Sequence, residues 1–168
     1  MNKISIGFSR PKAWKPFSWA IMKGYGTPYA HVYIKIYSSK YDRQLIYQAS
    51  HMTVNFMSPS IFMEENIIVD EFDLEIENAN YIKMMQFAID NVGKPYGVKE
   101  AFGLAIVRIA DLLGKKIKNP FRDGGKTYVC CELGGHIAAN YASVGISTDF
   151  DDLNPKELYE ILRNLKKS

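Results

Sequence analysis

The chain has 168 residues, of which 47% are hydrophobic and 23% are charged, and this composition excludes a disordered or low-complexity polymer. The length suffices for one domain with a sizeable core, so residues 1–168 are expected to form a single domain. A formal net charge of +3 is too small to indicate a nucleic-acid-binding protein by itself.

The first half of the chain predicts β-strands. Residues 29–37 alternate most clearly, with three apolar side chains on one face of the strand and His31 on the other. Four further stretches rich in Ile, Val, Phe and Tyr are predicted strands: 3–9, 44–50, 52–57 and 66–76. Residues 16–23 predict a short helix between the first two strands.

The second half predicts helices, because its apolar residues recur at helical spacing. Two of these helices carry an apolar stripe of the kind that usually faces a core: 80–92 (Ile82, Met85, Ile89, Val92) and 98–113 (Phe102, Ala105, Ile109, Leu112). A loop is predicted over 115–127 and a helix over 130–142. A last helix starts at Pro155 with Asn154 as its N-cap. Strands followed by helices indicate an α+β domain, an antiparallel sheet with helices packed on one face.

The only two cysteines, Cys130 and Cys131, are neighbours at the predicted start of a helix. A bond between neighbours is strained, so the chain is not a disulfide scaffold and a reducing compartment is expected. Unpaired N–H groups and the helix dipole favour a thiolate at such a position, and the thiolate is the nucleophilic form of cysteine. Paired cysteines are also typical small core residues.

The helical period distinguishes the two sulfurs. Cys130 lies on the same stripe as Leu133 and Ile137, which should face the sheet, whereas Cys131 lies about 100° round the helix. A base supplied by the sheet would reach Cys130 more easily, so Cys130 is the favoured nucleophile.

Three histidines are candidates for the base that such a nucleophile needs. His31 begins the most regular predicted strand, and His51, after the next one, is the reserve candidate. His136 lies about 240° round the helix from Cys130 and is expected to be structural. No metal site or cofactor is expected, because the chain has no C-x-x-C, H-E-x-x-H or EF-hand pattern.

Four short motifs occur in a fixed order along the chain: Tyr29-Ala30-His31-Val32, Ile46-Tyr47-Gln48-Ala49, Gly93-Lys94-Pro95-Tyr96 and Tyr128-Val129-Cys130-Cys131-Glu132-Leu133. Together they resemble the circularly permuted NlpC-type papain-like cysteine hydrolases, the YiiX/YebB-like group, in which the histidine strand precedes the cysteine helix. The resemblance spans residues 4–142. It implies a permuted papain-like fold and a cysteine amidase or peptidase that acts through a thioester on peptides such as those of bacterial cell walls.

The resemblance also implies roles for particular residues. Cys130 matches the nucleophile, His31 the base and Gln48 the third polar residue. Cys131 stands where the family has serine, and Tyr96 matches a tyrosine near the oxyanion. Because the third residue is often Glu in this group, Gln48 is a departure: its amide can hold the imidazole ring but cannot stabilise an imidazolium by charge.

Other functions remain open at this point. An acyltransferase or lipid-processing thiol enzyme, similar to lecithin:retinol acyltransferase, would use the same chemistry, and the apolar stretch 101–113 suits an acyl-chain groove as well as a core. Because Gln48 is neutral, the sequence is also consistent with a catalytically silent binding module. Nucleic-acid binding is not expected, although basic and aromatic residues interleave over 12–19.

The expected partner is therefore a peptide or an acylated small substrate. No signal peptide and no transmembrane run is visible, so a cytoplasmic location is expected. A cell-wall substrate would then be reached by a phage-encoded protein or one released by lysis.

Overall fold

A computed structural model describes residues 2–38, 42–50, 52–122 and 126–166. Within these residues the chain forms an antiparallel sheet whose strands are β1 (Asn2–Pro11), β2 (His31–Ser38), β3 (Arg43–Ser50), β4 (Thr53–Met57) and β5 (Asn66–Ile76), in the spatial order β4-β3-β2-β1-β5. The six α-helices of the same part of the chain are α1 (Pro16–Tyr25), α2 (Pro59–Glu65), α3 (Asn78–Asp90), α4 (Val98–Leu112), α5 (Cys130–Tyr141) and α6 (Pro155–Leu165). A 3-10 turn at Phe150–Asp152 precedes α6.

The α+β class and the antiparallel sheet are confirmed, but the expectation that helices pack on one face only is wrong. Helices α3, α5 and α6 cover the face that carries Val32, Ile34 and Ile36. The short helix α2, which the sequence analysis did not predict, lies on the other face. There the ring of Phe62 packs 4.6 Å from the ring of Tyr33, between centroids.

The apolar stripes of α3 and α4 face outwards, contrary to what helical spacing ordinarily indicates. Ile82 and Ile89 on α3, and Phe102 and Ile109 on α4, are all exposed. The buried residues are Met84 and Ala88 on α3, and Glu100, Gly103 and Leu104 on α4. Periodicity identifies an apolar face but not the surface that this face meets, which is why the prediction fails here.

None of the helices in the described part of the chain combines the length and the hydropathy that crossing a bilayer requires.

Helix α5 packs closely on β2, because a glycine stands at the point of contact. A Cβ added at Gly134 would lie 2.9 Å from Cγ1 of Val32 and 3.3 Å from Cδ2 of Leu158. Leu133 and Ile137 of the same helix are fully buried in the cluster that includes the sheet residues. This packing places the first turn of α5 at the start of β2.

Replacing Gly134 by Ala is expected to destabilise the protein, because the added methyl group must displace Val32 or move α5. Overpacking lowers the free energy of unfolding by about 1–3 kcal/mol, and the higher helix propensity of Ala raises it by about 1 kcal/mol. The net loss is therefore about 1 kcal/mol. Urea unfolding of the purified variant measures it.

The matched control is Gly145→Ala, because a Cβ at Gly145 meets nothing within 4 Å. Equal unfolding midpoints for the two variants would contradict the close contact between α5 and β2.

Candidate active site

Backbone pairing outside the main sheet brings Tyr96 next to the segment that enters α5. The amide of Tyr96 donates to the carbonyl of Met52 at 2.7 Å, and the amide of Gly97 donates to the carbonyl of Tyr128 at 3.0 Å. Tyr96 and Tyr128 form an isolated parallel bridge. The turn before α4 is thereby fixed beside the first residue of α5, which is Cys130.

The buried thiol of Cys130 lies against the first residues of β2. Its pKa is well below the ordinary value: the adjacent Cys131 thiol lowers it most, burial opposes this, and the neighbouring His31 ring lowers it further, in part through its charge. The backbone amide of Val32 adds a smaller lowering effect. A lowered pKa favours the thiolate, which is the nucleophilic form of cysteine.

The ring of His31 is oriented by Gln48. Nε2 of His31 lies 2.7 Å from Oε1 of Gln48. Because an amide oxygen only accepts, Nε2 carries a proton and Nδ1 is the nitrogen available to Cys130. This arrangement leaves the ring able to exchange a proton with the sulfur.

Gln48 is itself held by a second amide, that of Asn55. Nε2 of Gln48 lies 3.5 Å from Oδ1 of Asn55 and 3.7 Å from Sδ of Met57. Nδ2 of Asn55 donates to the carbonyls of Thr53 and Ser50, at 3.1 and 3.3 Å. The orientation of the His31 ring thus depends on an amide chain anchored in the turn between β3 and β4.

The pKa of the second cysteine, Cys131, is shifted in the opposite direction. The pKa of Cys131 is well above the ordinary value, chiefly because of its hydrogen bond with Cys130 and then because of burial. Sγ of Cys131 also lies 3.0 Å from the carbonyl oxygen of Leu153, which can only accept. Cys131 therefore keeps its proton and serves as a donor.

Tyr96 supplies a hydroxyl at the sulfur. Its pKa lies far above the ordinary value because of burial, then because of the charges of Cys130 and Cys131, and finally because of a hydrogen bond with Cys130. The hydroxyl of Tyr96 consequently remains protonated at neutral pH and can donate to an anion. Further donors are available at the start of α5, where backbone N–H groups have no partner within the helix.

Two cavities meet at this group of residues. One, of about 270 Å³, lies between α1 and α4, reaches Cys130 and is lined mainly by apolar side chains such as Leu104 and Ile109. The other, of about 250 Å³, contains His31 and has polar walls, including Gln48 and Ser50. We call them the apolar cavity and the polar cavity. They share Phe17, Ile21 and Tyr96 as their dividing wall.

The two cavities differ in which of these residues they contact: Cys130 lines the apolar cavity, and His31 lines the polar cavity. The five residues singled out in the sequence, namely Cys130, His31, Gln48, Tyr96 and Cys131, thus lie together.

Of the other two histidines, only His136 belongs to the described residues. His51, the reserve base, lies outside the described residues. His136 is stacked on Phe87 of α3, with ring centroids 4.5 Å apart, and burial lowers its pKa. A neutral stacked ring fits the structural role that was expected of it.

The sequence analysis missed two groups near the site. Asn55, in the middle of β4, gave no signal, because a lone Asn within a predicted strand belongs to no recognisable motif. Carboxylate oxygens of Glu100, Glu132 and Asp151 lie within 4.8 Å of one another. They come from α4, α5 and the 3-10 turn, so no spacing motif connects them. The hydroxyl of Thr127 donates to Glu100 at 2.8 Å, and the amide of Val129 donates to Glu132 at 3.3 Å.

Iodoacetamide at pH 7 is expected to alkylate Cys130 and to leave Cys131 unmodified. The reason is that the lowered pKa of Cys130 favours its thiolate, whereas Cys131, which lines the same apolar cavity, keeps its proton and donates it to a carbonyl. Tandem mass spectrometry of the peptide that spans both residues locates the label. The rate should fall in His31→Ala, which removes two of the interactions that lower the pKa of Cys130. Faster labelling of Cys131 would reverse the assignment of the nucleophile.

No protein-family model matches this chain, and the curated proteins contain no significant match to it. The chemistry of the site therefore rests on the contacts described above.

Proposed function

We propose that the protein is a cysteine-dependent amidase or peptidase that works through a thioester, on a permuted papain-like fold. The observation that carries this proposal is the juxtaposition, at the start of a helix, of the buried Cys130 thiol and the His31 ring, which lowers the pKa of that thiol. The bond between His31 and Gln48 supports it by orienting the base. Short peptides of the cell-wall type are the substrates that the family resemblance suggests.

The reaction begins with attack of the Cys130 sulfur on a carbonyl carbon. The C–S bond forms, the π electrons of the carbonyl move to its oxygen, and His31 holds the proton that the thiol has released. Collapse of the tetrahedral intermediate breaks the C–N bond, and His31 gives that proton to the leaving amine. Water, deprotonated by His31, then attacks the thioester and releases the acid and the free thiol.

The developing oxyanion needs donors that are already in place. The Tyr96 hydroxyl, which stays protonated, and the backbone N–H groups at the start of α5 fill this role. One such donor is worth about 3–4 kcal/mol of transition-state stabilisation.

A second candidate function is favoured by the apolar cavity. Its lining extends along α4 from Ala101 to Leu112, beginning at the nucleophile. A space of this kind suits an acyl chain better than a polar peptide. The thiol would then take an acyl group from an ester or amide and pass it to water, or to an alcohol or amine, as in enzymes similar to lecithin:retinol acyltransferase.

Cys130→Ser and His31→Ala are each expected to abolish turnover of p-nitrophenyl acetate while the fold is retained, since loss of a general base alone costs about 10²–10⁴-fold in rate. Intact-mass spectrometry should detect the acetyl thioester on the wild-type protein and none on Cys130→Ser. Circular dichroism checks that each variant is folded.

Cys131→Ser is the matched control, because it makes the same change at the neighbouring position and keeps a donor there. It should retain most of the activity. An active Cys130→Ser with an inactive Cys131→Ser would contradict the proposal, and a folded wild-type protein that never forms the thioester would indicate a catalytically silent module.

Chain length in the acyl group distinguishes the two candidate functions. If the apolar cavity holds an acyl chain, kcat/KM for p-nitrophenyl esters should rise from acetate to octanoate. Ala105→Trp, which fills the cavity from α4, should remove that rise and leave acetate hydrolysis unchanged. Ala79→Trp, at an exposed helical alanine outside the cavity, is the control. A preference for acetate in all three proteins would exclude the acyl-chain function.

A further inference from the structure

Helix α4 presents its apolar residues to solvent. Val98, Phe102, Ile109 and Leu112 recur at the spacing of one helical face, and their exposed fractions are 64%, 60%, 60% and 66%. A face of this kind on a globular protein marks a surface that meets something else. We call these four residues the α4 stripe.

Helix α1 continues the stripe on the other side of the apolar cavity. The two helices are tied together: Nε of Arg108 donates to the carbonyl of Gly24 at 2.8 Å, and the hydroxyl of Tyr25 donates to the carbonyl of Leu104 at 3.2 Å. Phe17 of α1, half exposed, lines the cavity together with Ile109 and Leu112 of the stripe. The exposed apolar surface and the mouth of the apolar cavity are therefore continuous.

Tryptophan is exposed on both sides of Phe17 in the chain. Trp14 is 73% exposed and Trp19 is 48% exposed. Large amphipathic rings of this type are enriched where a protein meets the interface between lipid and water.

The charges around this surface are mostly positive, although Lys15 is paired with Glu65, and Arg122 with Asp149 and Asp152. Residues 12–25 and 98–122 together carry nine Lys or Arg side chains and only two carboxylates, Glu100 and Asp111. Glu100 is buried, and Asp111 is paired with Arg108 at 2.8 Å. Lys115, Lys116 and Lys118 follow the end of the stripe and are all exposed.

We propose that the surface formed by α1 and the α4 stripe docks on an anionic lipid bilayer. The stripe, Phe17 and the tryptophans enter the boundary between headgroups and acyl chains, and the lysines contact anionic headgroups. The helices lie on the membrane rather than across it. An anionic bilayer satisfies the apolar face and the basic rim together, whereas a second copy of the chain would bring a like set of positive charges. Docking needs no catalysis, so it stands apart from the thioester chemistry.

Flotation with vesicles tests the proposal, with Cys130→Ala as the common background so that no turnover occurs. Vesicles of phosphatidylcholine with 30% phosphatidylglycerol should bind the protein, and vesicles of phosphatidylcholine alone should bind it much more weakly. Binding to the anionic vesicles should weaken as salt is raised. Neutralising Lys115, Lys116 and Lys118 to Gln should reduce it by about fivefold for each lysine that contacts the membrane.

The decisive pair of variants changes equally exposed side chains on two different helices. Phe102→Glu/Leu112→Glu on α4 should lower partitioning to anionic vesicles by more than tenfold. Ile82→Glu/Ile89→Glu on α3, where the exposed fractions are 58% and 60%, should leave it unchanged. Because all four residues are exposed, both variants should fold, which thermal unfolding checks.

Several outcomes would overturn the docking surface. They are absence of binding to either kind of vesicle, an equal loss in the α3 and α4 variants, and partitioning that is insensitive to salt. A dimer seen by sedimentation equilibrium, dissociated by the α4 substitutions without any vesicle binding, would assign the surface to a second copy instead. Alkylation of Cys130 in the same proteins, without the background substitution, reports separately on the site.

Discussion

The juxtaposition of the Cys130 thiol and the His31 ring, which lowers the pKa of that thiol, is the interaction on which the rest of this site depends. The sulfur belongs to the first residue of α5 and the ring to the first residue of β2, so only the packing of that helix on that strand brings them together. Gly134 permits this packing, because a larger residue would collide with Val32. The small size of Gly134 therefore helps to place Cys130, at the start of the same helix, beside β2.

A buried anion is costly unless donors compensate for the water it has lost. Around Cys130 the compensation comes from the Cys131 thiol, the His31 ring and the Val32 amide. The third residue of the site, Gln48, is neutral and orients the ring without adding charge. In the proposed reaction, the imidazolium of His31 would have an amide rather than a carboxylate as its partner.

The sequence predicted those parts of the molecule whose local pattern and tertiary environment agree. The strand over residues 66–76 coincides with β5, and the helix expected to start at Pro155 does so, with the Asn154 side chain accepting from the Glu157 amide at 3.0 Å. Alternation along β2 correctly separates His31 from the apolar face. In each case a helix cap, a turn residue or a buried face predicts the same element as the periodicity of the apolar residues.

The prediction fails where an apolar face has no protein partner. The stripe of α4 has the spacing of a core helix, yet the packed side of that helix consists of Glu100, Gly103 and Leu104. Gly103 packs against the side chain of Asn119, which no local pattern connects to it. Asn55 and the three clustered carboxylates were missed for the same reason, because they are brought together only by tertiary contacts. Periodicity alone could not have distinguished an apolar face that meets the core from one that meets solvent.

Thiolate absorbance at 240 nm tests the central interaction most directly. Titrating Cys131→Ser between pH 4 and 9, and subtracting the spectrum of a variant with serine at both positions, isolates the signal of Cys130. A transition well below the free-thiol value of about 8.5 is expected, and it should move to higher pH when His31 is replaced by Ala. A transition near 8.5 that does not move on replacing His31 would contradict it.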